Sequence, residues 1–62
     1  MSAGDRPEYY GPRDVARLLE IDRRTVSRLI EDGDLEAYRI GPKLIRISRS
    51  SLESFLEDRR IV

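Results

Sequence analysis

The chain contains no cysteine and no histidine. Without cysteine, neither a disulfide nor a thiolate metal site can stabilise the fold, and a reducing cytoplasm is a compatible compartment. Without histidine, the commonest general base and the commonest zinc ligand are missing. No apolar run has the length of a membrane span or of a signal-peptide core. An enzyme is therefore the least expected class, and no cofactor or metal is expected.

Large aromatic residues are few: tryptophan is absent, and the 62 residues include one phenylalanine and three tyrosines. A chain of this length buries only about 60% of its unfolded surface, so its core must be small. Hydrophobic and charged residues each make up 39%, which suits a thin core under a charged surface. We expect a flexible tail over residues 1–8, where the sequence is small and polar, and one domain over residues 9–62.

The formal net charge is zero, which by itself argues against a nucleic-acid partner. The distribution of charge changes that interpretation. Residues 23–49 contain seven basic and four acidic residues, whereas acidic residues outnumber basic ones on both sides of this segment. The positive charge is therefore concentrated in the middle of the chain.

The segment GPRDVARLLE predicts a first helix from Pro12 to about Glu20. Gly11 can serve as its N-cap, and proline is favoured at the first helical position. An apolar face follows from helical spacing, with Ala16 at its edge. The residues of this face are Val15, Leu18 and Leu19.

The segment IDRRTVSRLIEDGDL predicts a second helix that ends near Asp32. Asp22 is a favourable N-cap that could accept a hydrogen bond from the Thr25 backbone N–H, and Gly33 suits a left-handed residue after the helix. Only two residues separate this helix from the first, so the two must cross at a large angle, as in a helix-turn-helix. Its inward stripe is Val26, Leu29 and Ile30.

The segment LEAYRIGPKLIRI contains two strand-like runs around Gly41, Pro42 and Lys43, which predicts a hairpin of uncertain register. A third helix follows, with Ser48 as its N-cap and an apolar stripe of Leu52, Phe55 and Leu56. The predicted fold is therefore mainly α with a small β-hairpin, in the order helix, helix, hairpin, helix. This order is that of a winged helix-turn-helix.

The second helix presents a basic outer face. At about 100° per residue, the direction opposite its apolar stripe passes between Arg24 and Arg28. Arginine can bind guanine bidentately or contact a phosphate, and the first-turn N–H groups can also bind phosphate. A solvated charged face is the alternative, but the preceding tight turn and a second basic cluster favour DNA. The predicted DNA-contacting residues of this helix are Arg23, Arg24, Thr25, Ser27 and Arg28.

The hairpin supplies the second basic cluster, which we interpret as a DNA-binding wing formed by Arg39, Lys43 and Arg46. The alternative is that these charges protect an edge strand from aggregation. Further phosphate contacts could come from Arg13, Arg17 and Arg49.

Other polar clusters fit structural roles better than catalytic ones. Tyr9 and Tyr10 could resemble recombinase nucleophiles, but that chemistry needs histidine, so we expect them to pack against the helices. Three serines, Ser48, Ser50 and Ser51, have no partner base and suit helix capping. An acidic cluster lacks the calcium-loop pattern and could repel DNA from one flank or pair with arginines of a neighbouring copy. Its members are Glu31, Asp32, Asp34 and Glu36.

Taken together, these pieces resemble the small excisionase-type winged helix-turn-helix domains, which are related to the DNA-binding module of MerR regulators. The opening pattern matches at Tyr10, Pro12, Val15, Ala16 and Leu19, followed by RRTVSRLI, GDLEAYRIG and IRISRSSLESFL. With no further domain expected, the resemblance is closest to stand-alone phage excisionases, also called recombination directionality factors. Two positions depart from the family pattern: Gly11 replaces a threonine cap, and Glu20 stands where the interhelical turn often has glycine.

The resemblance implies a non-catalytic protein of the bacterial host cytoplasm and nucleoid. Such a protein would bind and bend attachment-site DNA cooperatively with neighbouring copies and would help a separate integrase to excise a prophage. It would place the second helix in the major groove and Lys43 on the wing. No membrane or small-molecule partner is expected. A small MerR-like transcription regulator and a protein-interaction module with an acidic partner are the alternatives.

Overall fold

The computed structural model describes residues 7–61, and within them three helices and a three-stranded sheet share one hydrophobic core. The predicted winged helix-turn-helix fold is confirmed, with one additional strand at the start. Residues 1–6 of the predicted tail lie outside the described part, whereas the Glu8 carbonyl accepts a 2.8 Å hydrogen bond from the Arg49 backbone N–H. The elements are β1 (Tyr9–Tyr10), α1 (Pro12–Leu19), α2 (Arg23–Glu31), β2 (Ala37–Gly41), β3 (Leu44–Ser48) and α3 (Arg49–Asp58).

The sheet is antiparallel with the strand order β1-β3-β2. Tyr10 pairs with Ile47, and Tyr38 pairs with Arg46. The register shifts between Arg39 and Gly41, which accounts for the imperfect alternation of the hairpin sequence. β1 was not predicted, because two residues carry no alternation signal and their partner strand lies far along the chain.

The core is formed where α1, α2 and α3 meet β3 and the loop before β2. Two predicted core positions are corrected: Leu18 and Leu56 are 57% and 43% exposed. Ala16, expected at the edge of its helix face, is buried instead, because the core direction of α1 lies between Val15 and Ala16. The buried face of α1 is thus rotated towards Ala16, whose small side chain lets the neighbouring elements approach the helix closely. The core residues are Val15, Ala16, Val26, Leu35, Ile47 and Leu52.

Glu20 makes the turn between α1 and α2 in a left-handed conformation, with φ 57° and ψ 49°. Its N–H donates to the Arg17 carbonyl at 3.3 Å, and the next N–H, that of Ile21, donates to Ala16 at 2.9 Å. A residue other than glycine is strained in the left-handed region. The family pattern often has glycine at this position of the turn, and this chain has Glu20 there instead. Gly33 has φ 84°, as predicted for the residue that follows α2.

The helix caps agree only in part with the predictions. Ser48 caps α3 by accepting a 3.1 Å hydrogen bond from the Ser51 N–H. Gly11 caps α1 through its backbone, and its N–H donates to Asp14 Oδ2 at 3.1 Å. Asp22 occupies the N-cap of α2, but its side chain makes no capping hydrogen bond. The predicted bond to Thr25 is therefore wrong; the Asp22 carboxylate is exposed, so water can satisfy its oxygens in place of the backbone donor.

Candidate nucleic-acid interface

The outer surface of α2 carries all five of its predicted DNA-contacting residues. The inner side is fixed by Val26, which is completely buried, and by the half-buried Leu29 and Ile30. Because these three side chains face the core, the remaining directions of the helix face solvent. The exposed side chains are Arg23, Arg24, Thr25, Ser27 and Arg28.

The guanidinium groups of this face are not used to stabilise the fold. Within residues 7–61, no hydrogen bond or ion pair engages the side chains of Arg23, Arg24 or Arg28. The arginines of α3 and its end differ, since Arg59 pairs with Asp34 at 3.4 Å and Arg60 pairs with Glu57 at 3.4 Å. The cations of α2 thus keep all their donors available for an anionic ligand.

The start of α2 adds backbone donors to these cations. Since the Asp22 side chain accepts no capping hydrogen bond, the N–H groups of the first turn have no side-chain acceptor there. The N-terminus of a helix also carries partial positive charge. The first-turn N–H groups and the exposed residues Arg23 and Arg24 therefore belong to the same end of the helix, where a phosphate oxygen could meet both kinds of donor.

Lys43 lies in the hairpin turn between β2 and β3 and is exposed. Arg39 supports this turn, because its Nη1 donates to the Pro42 carbonyl at 3.2 Å. One donor of Arg39 is thus occupied by the hairpin itself, while the side chain remains exposed. The structure places these two predicted wing residues together at the outer end of the hairpin.

Arg46 is placed differently from the other wing residues. It is half-buried, and its Nη1 donates to the Ile45 carbonyl at 2.9 Å. A methyl group built on Gly11 would lie 3.6 Å from the same nitrogen, so this guanidinium lies beside the start of α1. Along β3, Arg46 alternates with the fully buried Ile47. Its side chain therefore starts from the sheet face that points away from the helices.

The three remaining basic candidates fall into two groups. Arg13 and Arg17 are exposed on α1. Arg49 is half-buried at the start of α3, where its Nε lies 3.8 Å from Glu53 Oε2 and its Nη1 donates to the Pro7 carbonyl at 3.5 Å. Arg49 thus joins the start of the domain to α3. Contact of these three residues with DNA stays a prediction, as it does for α2 and the hairpin.

The acidic cluster does not form a single site. Asp34 pairs with Arg59, and Glu36 accepts a 3.1 Å hydrogen bond from the Tyr38 hydroxyl. Glu31 and Asp32 are exposed at the end of α2, and within the described residues neither has an ionic partner. In residues 7–61, no group of acidic residues is arranged to hold a metal ion.

The two tyrosines separate onto opposite faces of the sheet. Tyr10 packs against the core, as predicted, whereas Tyr9 is 52% exposed and meets the Tyr38 ring edge-on at 6.1 Å. The prediction that Tyr9 packs against the helices is therefore wrong, since adjacent strand residues point to opposite faces. Sequence reasoning missed this aromatic pair, although two consecutive aromatic residues before a helix start are compatible with a strand. In the described part of the chain, no helix is long and apolar enough to cross a membrane.

Comparison with known proteins identifies the family. The sequence profile described as a helix-turn-helix domain matches residues 9–60, which cover every element of the fold. A protein of Mycobacterium phage D29 named "Excisionase" is 40% identical over 50 residues, covering 81% of this chain and 89% of the phage protein. The chain therefore belongs to the excisionase-type helix-turn-helix proteins, a family that binds DNA and does not catalyse reactions.

Proposed function

We propose that the chain is a recombination directionality factor, which binds attachment-site DNA and promotes excision of a prophage by a separate integrase. The similarity to the phage D29 protein, whose name is excisionase, supports the role in recombination. The DNA-binding part is carried by one observation: three arginines on the exposed face of α2 have no ionic partner within residues 7–61. The donors of these guanidinium groups are therefore available to a phosphate or to a base edge.

The helix α2 is the element proposed to enter the major groove. Arg24 and Arg28 lie nearest to the direction opposite the buried stripe, so they are best placed to meet base edges. The arginine fork matches the two acceptors of guanine, and the hydroxyls of Thr25 and Ser27 can reach a base or a phosphate. Arg23, in the first turn, is placed to contact the backbone together with the free N–H groups.

The hairpin is proposed as the wing, with Lys43 on the phosphate backbone beside the groove occupied by α2. Arg39 holds the turn through the Pro42 carbonyl, which reduces the entropy that the turn loses on binding. A lysine at the tip acts as a point charge and carries no base information. We propose that α2 supplies sequence discrimination and that the wing supplies affinity.

The finer features of the proposal are DNA bending, cooperative occupancy of adjacent sites by several copies, and action in the host cytoplasm beside the integrase. Bending would let a small protein bring distant integrase sites together without catalysis. A circular-permutation gel shift on attachment-region DNA, with sites located by footprinting, measures the bend. An excision reaction with an integrase encoded in the same genome measures the activity, and excision that proceeds equally without the chain would refute the recombination role.

Salt dependence of duplex binding separates this proposal from a protein-interaction module. With roughly four or five phosphate contacts, log K should fall against log salt with a slope of about −4. Absence of duplex binding at low salt would favour an acidic protein partner instead. A promoter reporter that responds to the chain, with no effect on excision, would favour a transcription regulator.

A further inference from the structure

Glu31 is the last residue of α2 and lies on the side of the helix that carries the arginines. At about 100° per residue, its direction differs from that of Arg24 by about 20° and from that of Arg28 by about 60°. The completely buried Val26 points away from all three, and the Glu31 side chain is exposed. Glu31 therefore belongs to the same outer surface as the two arginines that are proposed to read bases.

The Glu31 carboxylate does not stabilise the fold. Within residues 7–61 it takes part in no hydrogen bond and no ion pair, although Arg28 lies at the i, i+3 spacing that permits one. The carbonyl end of a helix carries partial negative charge, so an acid in the last turn is unfavourable. The helix itself would therefore favour a neutral or basic residue at this position.

A carboxylate on this surface also opposes the general attraction of the domain to DNA. The arginines of α2 can gain affinity from any phosphate, whereas an acid is repelled by every phosphate that it approaches. In the major groove, its hydrogen-bond partners are the amino groups of cytosine and adenine. The placement of Glu31 therefore indicates discrimination between bases and not a gain of affinity.

The four bases differ in what they offer to a carboxylate in the major groove. Cytosine presents the N4 amino donor, whereas guanine presents two acceptors and thymine presents an acceptor and a methyl group. Adenine presents one donor beside one acceptor, so part of its edge repels the carboxylate. Cytosine is the best partner, because guanine or thymine would leave a desolvated carboxylate without a donor, which is costly.

Helix geometry relates this contact to those of the arginines. The rise of about 1.5 Å per residue places Glu31 about 4.5 Å beyond Arg28 and about 10 Å beyond Arg24 along the helix axis. Base pairs are stacked about 3.4 Å apart. A helix that lies along the groove would therefore bring Glu31 to a base pair one or two steps from that of Arg28.

We infer that Glu31 is a specificity-determining residue, which accepts a hydrogen bond from the N4 amino group of a cytosine in the target site. The inference rests on the proposed function and deepens it, because the helix then reads bases with an acid as well as with arginines. Arg24 and Arg28 favour guanine, and Glu31 penalises the other three bases at one further position. The acid thus lowers binding to random DNA more than binding to the target, which raises the specificity ratio.

The test measures binding of the wild type, Glu31→Ala and Glu31→Gln to duplexes in which each base pair of the footprinted site is replaced in turn by the other three. The wild type should prefer cytosine at one position by about tenfold or more. Glu31→Ala should lose this preference at that position alone and should bind the other three duplexes more tightly than the wild type does. Glu31→Gln should shift the preference to adenine, because glutamine matches both the N6 donor and the N7 acceptor.

Asp32→Ala is the matched control, since Asp32 is exposed and lies about 100° from Glu31 around the helix. It removes the same charge and should leave every base preference unchanged. A uniform gain of affinity for all duplexes in Glu31→Ala, equal to that in Asp32→Ala, would overturn the inference and reduce Glu31 to a source of phosphate repulsion. That result would leave the DNA-binding role standing, whereas failure of the wild type to bind any duplex would refute the proposed function as well.

Discussion

Arg59 Nη2 lies 3.4 Å from Asp34 Oδ1, which connects the end of α3 to the loop between α2 and β2. The same guanidinium is stacked on the Phe55 ring, with its carbon 4.0 Å from the ring centre. At the other end of α3, the Ser51 hydroxyl accepts a 3.1 Å hydrogen bond from the Glu36 N–H. The segment between the proposed recognition helix and the wing is therefore held at both ends by α3.

Arg59→Gln should lower the free energy of unfolding by about 0.5–1 kcal/mol, because a half-exposed ion pair and a cation–π contact are both lost. Urea denaturation measures the change. Arg60→Gln is the matched control: its pair with Glu57 is exposed and local, so its loss should change stability by less than about 0.5 kcal/mol. Equal effects of the two substitutions would show that the connection to Asp34 adds nothing.

Glu20→Gly should stabilise the protein by about 1 kcal/mol, since it removes a side chain from the left-handed conformation at the end of α1. Thermal and urea unfolding both measure the gain. Glu57→Gly serves as the control, because Glu57 lies in the last turn of α3 with no left-handed conformation to relieve, so the same exchange should not stabilise. A loss of stability on Glu20→Gly would mean that the Glu20 side chain makes a contribution larger than its backbone strain.

The sequence predicted the helices well because each has a strong local signal. The helix starts are marked by Pro12 after Gly11, by Asp22 before the basic run and by Ser48 before the third apolar stripe. Gly33 marks the end of α2. The amount of burial along each stripe was less predictable. Leu18 and Leu56 satisfy helical spacing, yet whether such a residue is covered depends on where the neighbouring elements lie.

The candidate site also has a part that the sequence could predict and a part that it could not. Exposure of the α2 arginines follows from the apolar spacing of one helix, so the sequence alone was sufficient to predict it. The position of Arg46 beside Gly11 and the contact of Tyr9 with Tyr38 depend on pairing between strands distant in the chain. Their common face could be recognised only after β1 was placed against β3.

Arg24→Ala and Arg28→Ala should each weaken binding to the cognate duplex by about 1–3 kcal/mol, because each removes a proposed bidentate base contact. Binding to a random duplex should change much less, so the specificity ratio falls. Titrations on the two duplexes at the same salt concentration measure both effects. An equal loss on cognate and random DNA would refute base reading by these residues and reduce them to phosphate contacts.

Lys43→Ala should weaken binding to cognate and random duplexes alike, since the contact proposed for this lysine is with the phosphate backbone alone. The magnitude of the salt slope should decrease by about 1, which corresponds to one phosphate contact. Glu57→Gln, a charge change remote from the proposed interface on an exposed side chain, provides the comparison. An unchanged slope in Lys43→Ala would exclude the wing tip from the DNA contact.

The Tyr38 hydroxyl donates a 3.1 Å hydrogen bond to Glu36 Oε1. This bond, and secondly the negative charge of Glu36, raise the pKa of Tyr38 above its ordinary value of 10.0. The folded state thus holds the phenolic proton more tightly than the unfolded state, so this stabilisation is complete below pH 10.0 and is lost as the pH rises through the folded pKa.

Glu36→Gln removes the charge and should lower the Tyr38 pKa towards its ordinary value, which a tyrosinate absorbance titration against Tyr38→Phe can measure. The stability difference between the wild type and Glu36→Gln should be largest near neutral pH and should shrink as the pH rises above 10.0. A difference that grows with pH would have the opposite sign and would mean that Glu36 stabilises the tyrosinate form. The same titration on Tyr9→Phe should leave the Tyr38 transition in place, because the two rings meet edge-on without sharing the hydroxyl bond.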